Sequence, residues 1–213
     1  SSRGTWEATF GRLGACGLGE RREDAIGGRR GPSAGVPARD AGGVTPSFEL
    51  LVWPDDAEAA LRFLASNEWP FHGSPRLSVD QAARVGLAGD DIASFWIRVG
   101  TERVGLIRAF DLDDLDDGSP LFDLRIAEGH RGRGVGRAAV TWLTDHLFST
   151  YVELHRIEAT TRHNNLAMQR VFERCSYRLE GRMLVAWKNA DGTRSDTLTY
   201  AILRREWRAL SSS

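Results

Sequence analysis

The chain has 213 residues with 28 basic against 29 acidic side chains, so it lacks the basic excess of a protein devoted to nucleic acid. No apolar run approaches the roughly 18 residues of a membrane-spanning helix, and no membrane partner is expected. Two cysteines, Cys16 and Cys175, are too few and too far apart for a disulfide framework or a metal site, so a reducing cytoplasm and no metal are expected. Every basic residue except Lys188 is arginine, which fits a GC-rich bacterial origin.

Residues 1–46 hold eleven glycines and three prolines with few large apolar side chains. They cannot bury enough surface to offset chain entropy, and a disordered or extraneous extension is expected there. A folded domain is expected over residues 47–210. Phe48 to Trp53 reads as a strand, and Pro54-Asp55-Asp56 opens a helix whose apolar positions are Ala57, Ala60, Leu61 and Leu64. A second helix is predicted over Ser78 to Leu87. Ala93 to Val99 and Arg103 to Phe110 are β-rich runs around the hairpin signal Gly100-Thr101-Glu102.

The acidic stretch holding Asp111, Asp113, Asp114, Asp116 and Asp117 reads as a solvated turn, with attraction of a cationic amine as the alternative. Leu121 to Ala127 is a strand, and Gly134 to Phe148 a helix with Val135, Ala138, Ala139, Trp142, Leu143 and His146 on one face. His155 to Thr161 is a strand. Asn165 to Cys175 is an amphipathic helix, with Leu166, Met168 or Gln169, Val171 and Phe172 as its packed side. Tyr177 to Trp187 and Asp196 to Leu203 are strands joined through the turn Asn189 to Gly192. The order is mixed α/β.

The turn Gly129-His130-Arg131-Gly132-Arg133-Gly134-Val135-Gly136-Arg137-Ala138 passes from a strand into a helix. Its glycines remove Cβ atoms that would hold an anion away from the backbone, and the positive end of a helix follows. A pyrophosphate is the ligand this chemistry suits. The spacing is not G-x-G-x-x-G, the turn follows several strands rather than the first, and Arg137-Ala138 stands where a P-loop needs Lys and Ser or Thr. Dinucleotide and P-loop readings both fail.

Arg131, Gly134 and Gly136 match R/Q-x-x-G-x-G/A, and the turn thereby resembles the acyl-CoA site of the GNAT superfamily of N-acetyltransferases. Downstream, Asn165, Val171, Glu173, Arg174, Tyr177, Glu180 and Gly181 fall at a spacing similar to that of the RimJ/RimL-like branch, which acetylates ribosomal-protein N-termini. The resemblance covers residues 48–205. It implies a mostly antiparallel sheet with splayed fourth and fifth strands flanked by helices, and acetyl-CoA as co-substrate. On this resemblance Arg131, Gly132, Arg133, Gly134, Val135, Gly136, Arg137 and Ala138 hold the CoA pyrophosphate. Leu124, Arg125 and Ile126 offer main-chain groups to the pantetheine arm, and Asn165 and Arg170 assist. Asn165 is also a good helix N-cap.

Glu158 and Asp123 are the two candidates for the general base, with Glu158 slightly favoured by its likeness to a family glutamate. Either could equally be a strand carboxylate paired with Arg125 or Arg156. The serine and tyrosine that serve as acids in many relatives are replaced by Met168 and Phe172. Tyr177 reads as a packed aromatic, and with a thiol pKa near 8.5 water can protonate the leaving thiolate. Trp69, Phe71 and His72, between the first two helices, are the candidate acceptor wall. The acceptor is expected to be a small-molecule amine or a peptide N-terminus, acetylated by direct attack, with a homodimer as a possible assembly. The competing readings are a CoA-binding scaffold with little catalysis and a transferase of another acyl group such as succinyl.

Overall fold

The computed structural model describes residues 45–113, 115 and 118–211. Nearly all of the expected extension, with Cys16, Asp114, Asp116 and Asp117, lies outside these residues.

The described chain begins with strand β1 (Ser47–Leu50), which ends three residues short of the predicted Trp53 because residues 53–56 turn into helix α1 (Ala57–Ala65). Helix α2 (Val79–Ala83) is shorter than predicted and starts at a capping box. There the Ser78 hydroxyl accepts from the Gln81 N–H while the Gln81 side chain accepts from the Ser78 N–H. Strands β2 (Ala93–Val99), β3 (Glu102–Phe110) and β4 (Leu121–Ile126) then form an antiparallel sheet in the order β1-β2-β3-β4.

Helix α3 (Val135–Thr150) leads to β5 (Arg156–Arg162), helix α4 (Leu166–Arg174), β6 (Arg178–Lys188) and β7 (Arg194–Leu203). These last strands form a second antiparallel sheet, β5-β7-β6. A closing helix, α5 (Arg204–Ser211), was not foreseen, because its sequence is mostly polar with only Trp207 and Leu210 large and apolar.

Strand alternation sorts side chains into two cores. Ile97 and Ile107 join Val135, Ala139, Val140, Leu143 and Leu147 of α3 and Phe172 of α4 in the larger one. Trp96 and Leu106 face the other way, against Ala60, Leu64 and Trp69. The buried stripe of α3 is centred on Ala139, Val140 and Leu143 rather than on Ala138, Trp142 and His146, which are half-buried. Trp142 instead stacks on Phe48 at 4.3 Å. Leu166, expected on the packed side of α4, is 58% exposed, since it opens the helix beyond the edge of the core.

The two sheets meet at one backbone contact, the Glu158 N–H donating to the Pro120 carbonyl at 3.1 Å, where β4 and β5 begin. Beyond it no ladder joins them among the described residues. His72 bridges the strands farther along, its ring meeting Asp123 on β4 and its carbonyl accepting from Arg162 at the end of β5. The strands therefore run in the same direction and part, leaving an open edge on β4.

Candidate active site

The glycine turn is built to meet an anion. Gly132 and Gly134 take left-handed conformations, φ 72° and 84°, and a Cβ at either would point into open space. Gly134 is the N-cap of the sixteen-residue α3. Among the described residues the N–H groups of Gly132 through Gly136 donate to no protein acceptor. Five donors at the positive end of a long helix suit a pyrophosphate, so these residues fit CoA. Gly136 has a different reason: its Cβ would lie 3.3 Å from Ile126 Cδ1, so it lets α3 close onto β4. Val135 likewise contributes only backbone, its side chain being buried, while Ala138 is half-buried and Arg133, Arg137 and Arg170 are exposed.

The phase of the β3–β4 ladder decides which main-chain groups reach the open edge. The Ala127 N–H donates to Val104 O at 2.9 Å and continues a register that pairs Leu106 with Arg125 and Arg108 with Asp123. In an antiparallel pair the bonded residues alternate, so the main chain of Arg125 faces β3 while that of Leu124 and Ile126 faces outward. Arg125 is thereby removed from the main-chain pantetheine site. Ile126 O already accepts from Arg131 Nε at 2.9 Å, and the same guanidinium donates to Glu68 O. Arg131 thus ties the phosphate turn to the end of β4 and to the loop after α1.

On the face of β4 away from α3, Asp123 sits among cations. Its Oδ1 lies 2.8 Å from His72 Nε2, and its Oδ2 accepts from Arg125 Nε at 2.9 Å with Arg108 Nε 3.8 Å away. Burial acts to raise its pKa, but Arg125, His72 and Arg108 outweigh burial and hold it well below the usual carboxylate range. With His72 on one oxygen and Arg125 on the other, this carboxylate is committed to fixed partners rather than open to an ammonium, which corrects its candidacy as the general base. It fixes His72 instead: an ionised carboxylate only accepts, so Nε2 carries hydrogen and the lone pair of neutral His72 is on Nδ1.

Glu158 is not brought to this point. It lies at the joined start of β5, about 10 Å back along the strand from the level of Asp123 at 3.3 Å per residue, and pairs with Arg156 at 3.0 Å. Asn165 caps α4: its side-chain oxygen accepts from Met168 N at 3.2 Å and its amide donates to Thr161 Oγ1 at 3.1 Å. Phe172 packs between Tyr200 and Tyr177, at 4.9 and 5.8 Å. Tyr177 is buried, its hydroxyl 2.9 Å from Thr144 Oγ1, and burial drives its pKa up. Cys175 is likewise pushed up by burial, which suits neither a nucleophile nor an acid at this site.

Of the expected acceptor wall, Trp69 is 1% exposed and donates from Nε1 to Leu64 O at 2.9 Å, so it is a core residue that backs the wall. Phe71 and His72 are half-buried. Arg125 and Arg131 lie over the Trp69 ring at 5.3 and 5.9 Å. Arg108 and Arg162 were not among the expected site residues; Arg108 stands inside the apolar half of β3, which was a signal for it, while Arg162 ends the mostly polar β5, which gave none.

The acetyltransferase (GNAT) family model matches residues 57–177. No curated protein matches the chain. Among solved structures, the spermidine N-acetyltransferase from Vibrio cholerae in complex with CoA and spermine is 20% identical, with a TM-score of 0.63, covering 77% of this chain and 98% of that one. RimL, a ribosomal L7/L12 alpha-N-protein acetyltransferase in complex with coenzyme A, is 17% identical, with a TM-score of 0.65, covering 76% and 96%. A probable acetyltransferase is 23% identical, with a TM-score of 0.63, covering 76% and 95%. At these identities the likeness is one of fold, and it extends to both kinds of enzyme without selecting the RimJ/RimL-like branch. With its parted strands, its glycine turn at the head of α3 and a family match over more than half its length, the chain belongs to the GNAT acetyltransferase family.

Proposed function

We propose that the protein transfers the acetyl group of acetyl-CoA to a primary amine, of a small molecule or a peptide N-terminus, by direct attack while both are bound. The observation that carries this reading is the placement of the His72–Asp123 pair beside the open edge of β4, whose far end runs into the glycine turn. When bound, acetyl-CoA supplies a thioester whose carbonyl carbon takes the amine nitrogen and whose thiolate leaves. Gly132 through Gly136 hold the pyrophosphate on main-chain N–H groups, and Leu124 on the outward phase of β4 meets the pantetheine arm. His72 Nδ1 takes the proton from the acceptor ammonium, and Asp123 holds the ring and stabilises the imidazolium that results. The companion pattern from Asn165 to Gly181 supports a RimJ/RimL-like placement within the family.

Thiol release from acetyl-CoA over a panel of amines tests the reading. Turnover is expected with at least one amine, and His72→Gln should lower kcat by about a hundredfold while leaving the CoA dissociation constant within about twofold. Tight CoA binding without turnover of any amine would replace this reading with the scaffold. His72→Gln at full activity would remove the base assignment.

A further inference from the structure

The acceptor side of the cleft has an excess of buried cationic donors. Of the eight buried side-chain nitrogen and oxygen atoms without a hydrogen-bond partner among the described residues, four belong to His72 or to residues that contact it or Asp123: His72 Nδ1, Arg108 Nε, Arg125 Nη1 and Arg162 Nε. Three are guanidinium N–H groups. Arg162 is 7% exposed and the Arg125 side chain 10%. Arg108 Nε has the Asp123 carboxylate 3.8 Å away, whereas Arg125 Nη1 and Arg162 Nε have no partner among the described residues; buried charged donors left so are costly, and a native site keeps them for a ligand that pairs with them.

The carboxylate balance points the same way. Asp123, half-buried, is the carboxylate that Arg125 and His72 contact directly, and both of its oxygens are already engaged. Half-buried Asp91 and Asp111 act on Arg108, whereas the acid that acts on Arg162 is the exposed Asp191 on the β6–β7 turn. Each arginine is also fixed in place. Arg125 lies over Trp69 at 5.3 Å, and Arg162 lies over Trp187 at 5.3 Å while donating to His72 O. Because Arg162 holds the backbone of the residue whose ring meets Asp123, its guanidinium stands within one residue's span of the proposed base.

Resting on the acetyltransferase reading above, we infer that the acceptor is an amine that carries a carboxylate, bound by Arg125 and Arg162 while its nitrogen faces His72. A carboxylate offers planar paired acceptors that match guanidinium donors. A polyamine brings only further positive charge to a place that already has an excess, so the polyamine chemistry named for the Vibrio cholerae neighbour is disfavoured here.

The test compares acids with their amides, using α-amino acids against α-amino amides and aspartate or glutamate against asparagine or glutamine, with spermidine as the cationic control. Both kcat/KM and calorimetric affinity in the presence of CoA are measured on the full chain. In at least one pair the acid should exceed its amide by about a hundredfold, because the amide leaves buried charged donors unpaired. Arg162→Gln should collapse that ratio by at least tenfold, and Arg162→Lys should restore part of it. Amides or spermidine equalling the acids throughout, or a ratio that Arg162→Gln leaves intact, overturns the inference. If no amine turns over, the acetyltransferase reading fails, and the acid-to-amide binding ratio still decides the carboxylate site.

Discussion

At the scale of single residues, the site is governed by which charges are committed. Asp123 looked like a base in the sequence because it stands just before the glycine turn, but its neighbours Arg108 and His72 come from other segments and could not be foreseen. They turn it from a proton acceptor into the fixed anion that orients His72. Its pKa is lower folded than unfolded, so its stabilisation is fully present above the unfolded value of about 3.9 and is lost as pH falls through the folded value. Urea denaturation followed from pH 6 downward should show stability declining from about pH 4. Asp123→Asn should be less stable at pH 6 by about 3 kcal/mol and show a flatter acid limb, because a neutral amide leaves Arg125 and Arg108 unpaired and has no charge to titrate.

Among the elements, the glycine turn is where local sequence and the proposed CoA contact coincide. Its residues were legible because left-handed backbone and helix-start chemistry depend on neighbours in the chain. The roles of its two later glycines separate only in three dimensions. Gly134→Glu places an L residue at φ 84° and a carboxylate at the proposed pyrophosphate site, so CoA affinity by calorimetry should fall by at least tenfold, with about 1–2 kcal/mol lost in stability. Gly136→Val should do the reverse, lowering the thermal midpoint more than the CoA affinity, because the added carbons meet Ile126 and Val171. Strand β4 was legible as a strand, yet its phase was not. That Arg125 turns its main chain to β3 depends on pairing with residues some twenty positions earlier.

Across the whole molecule, the end of the chain secures the helix that carries the phosphate turn. Arg204, at the start of α5, is 9% exposed, and its guanidinium donates to the carbonyls of Phe148, Tyr151 and Leu154, around the C-terminus of α3. These bonds satisfy groups that a helix end leaves open and place a positive charge at the negative end of its dipole. Arg204→Ala should therefore cost about 2–4 kcal/mol in chemical denaturation.

The sequence by itself determined the order of the strands and of every α-helix except α5, the glycine turn, and the motifs that resemble the family. The elements and the turn follow from periodicity, caps and backbone preference, which are properties of short segments, and the family from the resemblance of two motifs. On the family resemblance, Met168 and Phe172 stand where many relatives carry acids. Only the tertiary structure decided that Trp69 is core, that Glu158 is held back at the joint of β4 and β5, and that His72 lies against Asp123. Only it brought Arg108 and Arg125 to Asp123, and Arg162 to the backbone of His72, from three strands. The physical reason is that charge pairing and burial belong to distances in space, and residues 51 or 90 positions apart set them here.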